Sequence, residues 1–273
     1  MRVVYDVETM PGDGRHIEEV VLSREGVLRA IVQEPQTKRE LTEAVSSSRS
    51  TVDRAIRELL DAGLVRQAGG EYEATMAAEC ALDAVGAFHD RMRTVSDAVA
   101  ALGHLPPDTP FDPVFLDGAE VQVTTPTMPD GVVERLFESI EDASHVRGIA
   151  PVVLSGHLQS FYDAAKEGEA RIEMLIDGDV LDRMVASPST RDILATQLRD
   201  EQVSISRVDV PFSFGVWITE EEAGVVVYSD TGVRGIIVND TDEAYAWAEQ
   251  WFDDLSAAAT ALTVDGVANA GDE

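Results

Sequence analysis

The sequence predicts an α+β protein of two parts: a small helical unit that ends in a β-hairpin, and a larger mixed α/β domain. Apolar residues recur at helical spacing up to about residue 62 and again from residue 76 to 102. Beyond residue 114, strand-like and helical stretches alternate and then give way to consecutive strands. Four of the eleven prolines lie at 105–113, as in a stiff connector, and the 273 residues, 44% hydrophobic, are enough to bury a sizeable core.

The chain is strongly acidic. It carries 51 Asp and Glu residues against 21 Lys and Arg, a net charge of −30, and only Lys38 and Lys166 are lysines. This composition resembles that of halophilic archaeal proteins, because at about 1 M salt the screening length falls to about 3 Å and carboxylates repel one another less. An ordinary acidic mesophilic protein is the alternative. Without an apolar run for a membrane span or signal peptide, and with one cysteine, Cys80, we expect a cytoplasmic protein.

One segment departs from this acidity. Residues 15–66 contain nine basic and nine acidic residues, so the whole net charge of −30 lies outside the segment. A neutral segment in an acidic chain lets that part of the surface approach a polyanion without repulsion. Double-stranded DNA is the partner that this distribution favours.

The neutral segment also has the spacing of three helices. A first helix is predicted over about Ser23–Gln33, before Pro35. Thr37 and Glu40 have the spacing of a capping box, in which each side chain accepts a hydrogen bond from the other residue's backbone N–H. They open a short second helix that ends at Ala44.

After a polar turn, Ser48 is the expected N-cap of a third helix, which Gly63 ends at C′. At 100° per residue, Val52, Ile56 and Leu59 share one face and are expected to pack inward. The opposite face should therefore meet solvent or a partner.

That opposite face carries Ser50, Arg54 and Arg57, while Arg49 and Thr51 lie in the first turn. An arginine guanidinium can donate two hydrogen bonds to guanine or to a phosphate. The N-terminal end of such a helix is the end that helix-turn-helix proteins direct at DNA bases. The third helix is thus the expected recognition helix.

Two short alternating stretches surround Gly69–Gly70 and predict a β-hairpin. Three helices followed by a hairpin are typical of a winged helix-turn-helix, with the hairpin as the wing; a solvated three-helix bundle with scattered charges is the alternative. The residues expected to contact DNA are Thr37, Lys38, Arg39, Ser48, Arg49, Ser50, Thr51, Arg54, Arg57, Arg66 and Gly69.

A long helix is predicted from Met76 to about Leu102, and six of its apolar residues follow the spacing of a coiled-coil seam. A monomer would expose this seam, so we expect a homodimer; an amphipathic helix packed on its own domain is the alternative. The seam residues are Val85, Phe88, Met92, Val95, Val99 and Leu102.

The rest of the chain predicts a mixed sheet layered with helices. Strands are expected at 119–124, 146–154, 171–177, 203–208, 212–219, 224–229 and 233–239, and helices at 130–143, 156–167, 179–186, 190–200 and 241–262. The predicted organisation is a tail (1–16), a winged helix (17–75), a linker and dimerisation helix (76–104), a Pro-rich connector (105–113), an α/β effector domain (114–263) and a second tail (264–273).

These features resemble a group of archaeal transcriptional regulators. The resemblance rests on the winged helix, the connector Leu105–Pro113, and residues Gly118–Val121 and Ala246–Glu249. It points to winged-helix regulators of halophilic archaea that carry a methanogenesis-regulator middle domain, and more distantly to the TrmB-like regulators. It implies a homodimeric, sequence-specific DNA-binding transcriptional regulator. Its C-terminal domain would sense an effector, dimerise or do both, and would resemble an inactive phospholipase D-like layered fold.

The sequence argues against catalysis. A phospholipase D motif needs a histidine two residues before a lysine, yet Gln36 and Ala164 precede Lys38 and Lys166. The five histidines lack zinc-site spacing, and no glycine loop suits a phosphate. We expect that the protein is not an enzyme and that it binds no metal or cofactor. The expected partners are double-stranded DNA, a second copy of the chain and an unknown small-molecule effector. We expect no association with a membrane. An α/β enzyme with a winged helix used for protein contacts is the alternative.

Overall fold

The structure, a computed structural model, describes residues 12–125, 127, 131–230 and 232–269. The chain divides into two compact units, residues 1–90 and 91–273. Among the described residues, no helix combines the length and the hydropathy needed to cross a membrane.

The first unit contains three helices and a hairpin, as the sequence predicts, followed by the first part of a long helix. Its core is formed by fully buried aliphatic side chains, among them Leu28, Leu41, Ile56 and Leu59. The elements are α1 (Gly12–Gln33), α2 (Lys38–Ala44), α3 (Arg49–Asp61), β1 (Val65–Ala68) and β2 (Glu71–Ala74).

The expected start of the first helix at Ser23, and the expected tail over 1–16, are wrong where the structure describes them. α1 already includes Gly12, and the Ser23 hydroxyl donates to the backbone oxygen of Val20 inside the helix. Val20 and Val21 are buried and extend the apolar face of α1 toward its N-terminus. Residues 1–11 of the expected tail lie outside the described residues.

The end of α3 is fixed by its backbone. Gly63, with a φ of +70°, donates to Leu60 O, and Leu64 donates to Leu59 O, each at 3.0 Å. These two bonds form a Schellman motif, which favours glycine because a residue with a Cβ is strained at positive φ. The prediction that Gly63 ends the third helix is confirmed.

The long helix α4 (Met76–Leu102) has the predicted bounds, but its seam is not a continuous exposed stripe. Val85 packs against the core of the first unit, and Val95 and Leu102 pack against a core of the second. Only the other three seam residues are strongly exposed: Phe88 at 55%, Met92 at 48% and Val99 at 61%. The expectation of six exposed apolar residues is therefore wrong, because three of them pack within their own unit.

The second unit contains an eight-stranded mixed sheet in the order β10-β6-β5-β4-β7-β8-β9-β3. β4, β5 and β6 run parallel to one another, and the other neighbours in the sheet pair antiparallel. The strands are β3 (Glu120–Val123), β4 (His145–Ala150), β5 (Arg171–Asp177), β6 (Val203–Val208), β7 (Gly215–Ile218), β8 (Ala223–Ser229), β9 (Gly232–Asn239) and β10 (Thr260–Ala261).

Helices cover both faces of this sheet and make it the middle of three layers. One face of the sheet packs against the helix at residues 242–256 and against an aromatic cluster, in which Phe115 and Phe214 are fully buried. The helices are α5 (Gly131–Glu141), α6 (Leu158–Glu167), α7 (Gly178–Ala186), α8 (Pro188–Gln197), α9 (Asp242–Ser256) and α10 (Val264–Asn269). The predicted mixed α/β architecture is confirmed.

Two boundaries of the second unit differ from the prediction. The units divide inside α4, not at the Pro-rich connector, because Leu105 and Phe111 of the connector pack against the core of the second unit. The expected tail from residue 264 is instead the helix α10 as far as Asn269, and its Val267 is fully buried.

Candidate DNA interface

α3 presents two opposite faces. Val52, Ile56 and Leu59 are buried in the first unit, as the helical periodicity predicts. Arg54 and Arg57 are exposed on the other face, and within the described part of the chain they form neither an ion pair nor a hydrogen bond. Their guanidinium groups can donate to an external acceptor without first breaking an internal pair.

The first turn of α3 combines a cap with a polar surface. Ser48 is the N-cap, and its hydroxyl accepts from Thr51 N at 3.2 Å. The same hydroxyl lies 2.9 Å from Ser50 Oγ and 2.8 Å from Thr51 Oγ1. Arg49 projects from this turn, is exposed, and forms no hydrogen bond or ion pair to the described residues. Ser48 therefore shapes the helix end, and its neighbours form a donor-rich surface there.

The second helix contributes one exposed cation and one paired cation. Thr37 and Glu40 form the predicted capping box, with Thr37 N donating to Glu40 Oε2 at 2.9 Å. Lys38 Nζ lies 2.7 Å from Asp53 Oδ1 of α3, and this hydrogen bond raises the pKa of Lys38 and lowers that of Asp53. Arg39 is exposed beside it. Thr37 thus has the predicted partner in Glu40, whereas the sequence analysis did not anticipate the ion pair of Lys38 with Asp53.

A second ion pair, also not anticipated, joins α3 to α1. Arg24 Nε donates to Glu58 Oε2 at 2.6 Å and its Nη2 donates to Oε1 at 3.3 Å. The hydrogen bond from Arg24 lowers the pKa of Glu58 and keeps this carboxylate charged. Arg24 and Glu58 are 34 positions apart, so no helical or strand spacing in the sequence relates them. Only the folded chain brings the two side chains together.

The wing is a regular two-residue hairpin. Gly69 and Gly70 have φ values of +60° and +96°, which this type of turn requires and which glycine adopts without strain. Arg66 on β1 lies opposite Glu73 on β2, and its Nη2 is 2.8 Å from the carboxylate. The Arg66 side chain is 70% exposed and can still reach a phosphate, but its ion pair with Glu73 competes with that contact.

The base of the wing is tied to the link between α1 and α2. The backbone N–H of Tyr72 donates to Gln36 O at 2.8 Å, and Gln36 N donates to Tyr72 O at 3.2 Å. The Gln36 side chain is buried and donates to Ala30 O at 3.2 Å. These bonds join the hairpin to the helical part of the first unit, which also contains the expected recognition helix.

The fold is that of a three-helix and hairpin unit followed by an α/β domain, and two domain families match these parts. Residues 129–258 match the middle domain of the methanogenesis regulatory protein FilR1. Residues 19–97 match the HVO_A0261 N-terminal domain. The resemblance to archaeal regulators with a methanogenesis-regulator middle domain is therefore confirmed. No curated protein sequence matches the chain at a significant level.

Several solved structures share features of the chain at low identity. The archaeal chromatin protein TrmBL2 is 13% identical over 91% of this chain and 99% of its own, with a TM-score of 0.41. The phospholipase D family member Nuc from Salmonella typhimurium is 14% identical over 53% of this chain and 99% of its own, with a TM-score of 0.40. An IclR homologue from Microbacterium is 11% identical over 86% and 94%, with a TM-score of 0.25.

Proposed function

We propose that the protein is a sequence-specific DNA-binding transcriptional regulator. The observation that carries this proposal is the exposed face of α3, where Arg49, Arg54 and Arg57 form no ion pair with any described residue. In a chain of net charge −30, carboxylates are abundant enough to pair such arginines. Unpaired guanidinium groups beside a donor-rich helix N-terminus suit the edges of bases and the phosphates of the major groove. The matches to a regulatory protein's middle domain support the same function.

An equilibrium binding assay tests this proposal. The full-length protein is titrated onto labelled duplexes from the region upstream of its own gene, at several concentrations of salt. The double variant Arg49→Ala/Arg54→Ala should lose at least tenfold in affinity, since each base-contacting arginine contributes about 1–3 kcal/mol.

The matched control is Arg183→Ala/Arg199→Ala, which removes the same charge from two exposed arginines of the second unit. The control should bind DNA as the wild type does. Equal losses of DNA affinity in both double variants would mean that net charge alone, and not the face of α3, determines binding. A wild type that binds no DNA at any salt concentration would contradict the proposal.

We further propose that the regulator is a homodimer. Two copies can bury Phe88, Met92 and Val99, the strongly exposed part of the seam on α4, and burial of apolar area contributes roughly 25 cal/mol per Å². The two recognition helices of the dimer would then bind two inverted half-sites, whose centres are separated by about one helical turn of DNA or by a whole number of such turns. The double variant Phe88→Glu/Met92→Glu should have the mass of a monomer in sedimentation equilibrium at high salt. A wild type that is itself monomeric at micromolar concentration would contradict the dimer.

The second unit is proposed to sense a small-molecule effector. Its eight-stranded sheet and helices form a domain that is larger than the DNA-binding unit and separate from it. The rival function is that of an α/β enzyme whose winged helix docks proteins. That function would not explain why residues 15–66 have no net charge in a chain of net charge −30. Any effector should change the affinity for DNA in the assay described above.

A further inference from the structure

A cavity of about 150 Å³ lies in the second unit between the sheet and the helices α5, α6 and α8. Met174 and Trp217 line it on the side of the sheet, and Phe137, Phe161 and Leu194 line it on the side of the helices. A cavity of this volume with an apolar lining is large enough for a benzene-sized molecule.

Three glycines of the sheet create the space, because large side chains lie over them. A Cβ at Gly224 would lie 2.0 Å from Cζ2 of Trp217, so the indole ring occupies the place of that missing side chain. A Cβ at Gly148 would lie 2.7 Å from the Met174 thioether, and one at Gly215 would lie 2.6 Å from the Tyr228 hydroxyl. The large side chains thus lean along the sheet and do not fill the layer below the helices.

No Asp, Glu, Lys or Arg side chain lines the cavity, although such residues make up 26% of the chain. His157 is the one histidine of the lining, and it is half-buried. Burial raises the pKa of Tyr228, so its hydroxyl stays neutral. A ligand with a net charge would lose its hydration here without gaining a counter-charge from an Asp, Glu, Lys or Arg side chain, and this disfavours ionised molecules.

One hydrogen-bond donor of the lining has no partner. Trp217 is 3% exposed, and its Nε1–H is buried without an acceptor among the described residues. Two other polar side chains of the lining are hydrogen-bonded: Tyr162 donates to Asp200 at 2.9 Å, and Gln197 donates to Leu158 O at 3.4 Å. Buried donors are nearly always bonded in folded proteins, so an orphan donor beside a cavity points to an acceptor supplied from outside.

We propose that this cavity binds a small, neutral, mainly apolar molecule with one hydrogen-bond acceptor, which receives the Nε1–H of Trp217. Its role as the effector of DNA binding rests on the proposed function; its binding to the cavity does not. A ring compound with a single carbonyl oxygen has this chemistry. Sugars and carboxylates do not, because they bring several polar groups or a charge.

Titration calorimetry on the full-length, DNA-free protein tests the proposal with three probes of the same size. The first probe is acetophenone. The second is α-methylstyrene, in which a CH2 group replaces the carbonyl oxygen of acetophenone. The third is benzoate, which carries a negative charge. Acetophenone should bind about tenfold more tightly than α-methylstyrene, the gain expected for one hydrogen bond to an otherwise unpartnered donor. Benzoate should bind most weakly. Equal affinities for acetophenone and α-methylstyrene would overturn the role of Trp217, and absence of binding by both would overturn the site.

Two variants and one control variant locate the binding. Trp217→Phe should remove the preference for acetophenone, whereas Trp247→Phe, an aromatic substitution on the opposite face of the sheet, should keep it. Ala150→Leu should fill part of the cavity and reduce the affinity for both uncharged probes. Unchanged affinities in Ala150→Leu would mean that the probes bind elsewhere and would overturn the proposal. Because none of these measurements involves DNA, a failed DNA-binding assay would leave them unaffected.

Discussion

Two arginines of the second unit and the arginines on the exposed face of α3 in the first unit have opposite surroundings. In the second unit, Arg135 donates from Nη1 and Nη2 to the carboxylate of Glu222 at 2.9 and 2.8 Å, and both side chains are less than 20% exposed. Arg147 donates to Glu249 at 2.5 Å and connects the sheet to α9. In the first unit, the arginines on the exposed face of α3 form no ion pair with the described residues. The difference separates arginines that hold the fold together from arginines that are available to a partner.

The largest expected effect lies on the structural side of this comparison. Glu222→Ala should reduce the free energy of unfolding by about 3 kcal/mol, because it leaves the mostly buried guanidinium of Arg135 without its carboxylate. It also removes one of the two acceptors within reach of the Ser139 hydroxyl. Denaturation by urea measures the change. Glu221→Ala, at the exposed neighbouring position, is the control and should remain within about 0.5 kcal/mol of the wild type.

The same pair predicts a dependence on pH. Burial alone would raise the pKa of Glu222, but hydrogen bonds from Arg135 and Ser139 outweigh it and hold the pKa below the ordinary value of 4.5. Because the folded-state pKa is the lower one, the stabilisation is complete above pH 4.5 and is lost as the pH falls through the folded-state value. The stability difference between the wild type and Glu222→Gln should therefore shrink in acid. A difference that stays constant down to pH 2 would contradict this assignment.

On the other side of the comparison, Arg49→Ala and Arg54→Ala should each weaken binding to the preferred sequence by about 1–3 kcal/mol and relax the preference at one base position. Neither should change the free energy of unfolding, since neither arginine stabilises a carboxylate by an ion pair. Binding to a set of operators with single base changes measures the preference. Arg199→Ala serves as the control. If both α3 variants keep the preferred sequence, α3 is not the recognition helix.

Ser48 is the N-cap of α3 and also one of the residues proposed to contact DNA, so its variants can separate the two roles. Ser48→Ala should reduce the free energy of unfolding by about 1 kcal/mol through loss of the N-cap. Ser48→Asp should retain the cap and the stability but should weaken DNA binding, since it places a negative charge beside the phosphates. Thermal unfolding and DNA binding of both variants separate the two roles. An Asp variant that binds DNA as tightly as the wild type would place the start of α3 away from DNA.

The smallest effect is expected at the wing. Arg66→Ala should weaken binding to all DNA sequences about equally and reduce the dependence of log K on log salt by about 1, as expected for a phosphate contact. Glu73→Ala provides the opposite test, because it frees Arg66 from its ion pair and should increase affinity. A change of sequence preference in Arg66→Ala would assign the wing a role in reading bases.

Local signals in the sequence predicted the elements that depend on local chemistry. The bounds of β5 and β6 follow from short apolar runs, and the capping box of Thr37 follows from one spacing rule. β10 was missed because the alanine-rich stretch after Ser256 favours a helix, whereas Thr260–Ala261 pair with β6. Pairing with a distant strand outweighs local preference there.

Partners distant in the sequence could not be predicted. The seam on α4 has a clear period, but the period does not say whether Val95 and Leu102 meet another copy or their own domain. Likewise, Gly148 and Gly224 are unremarkable in the sequence and acquire meaning only when the strand register places both beside Trp217. The cavity is a product of that register.

The scarcity of lysine has an experimental consequence. Lys38 lies in the first unit, paired with Asp53, and Lys166 lies in the second, 3.2 Å from Asp200. Reductive methylation with carbon-13 formaldehyde would therefore give the two units one lysine signal each in an NMR spectrum. The raised pKa of Lys38 slows its reaction, because only the free amine is nucleophilic. Added DNA should shift the Lys38 signal, and a ligand in the cavity should leave it in place unless the two sites are coupled.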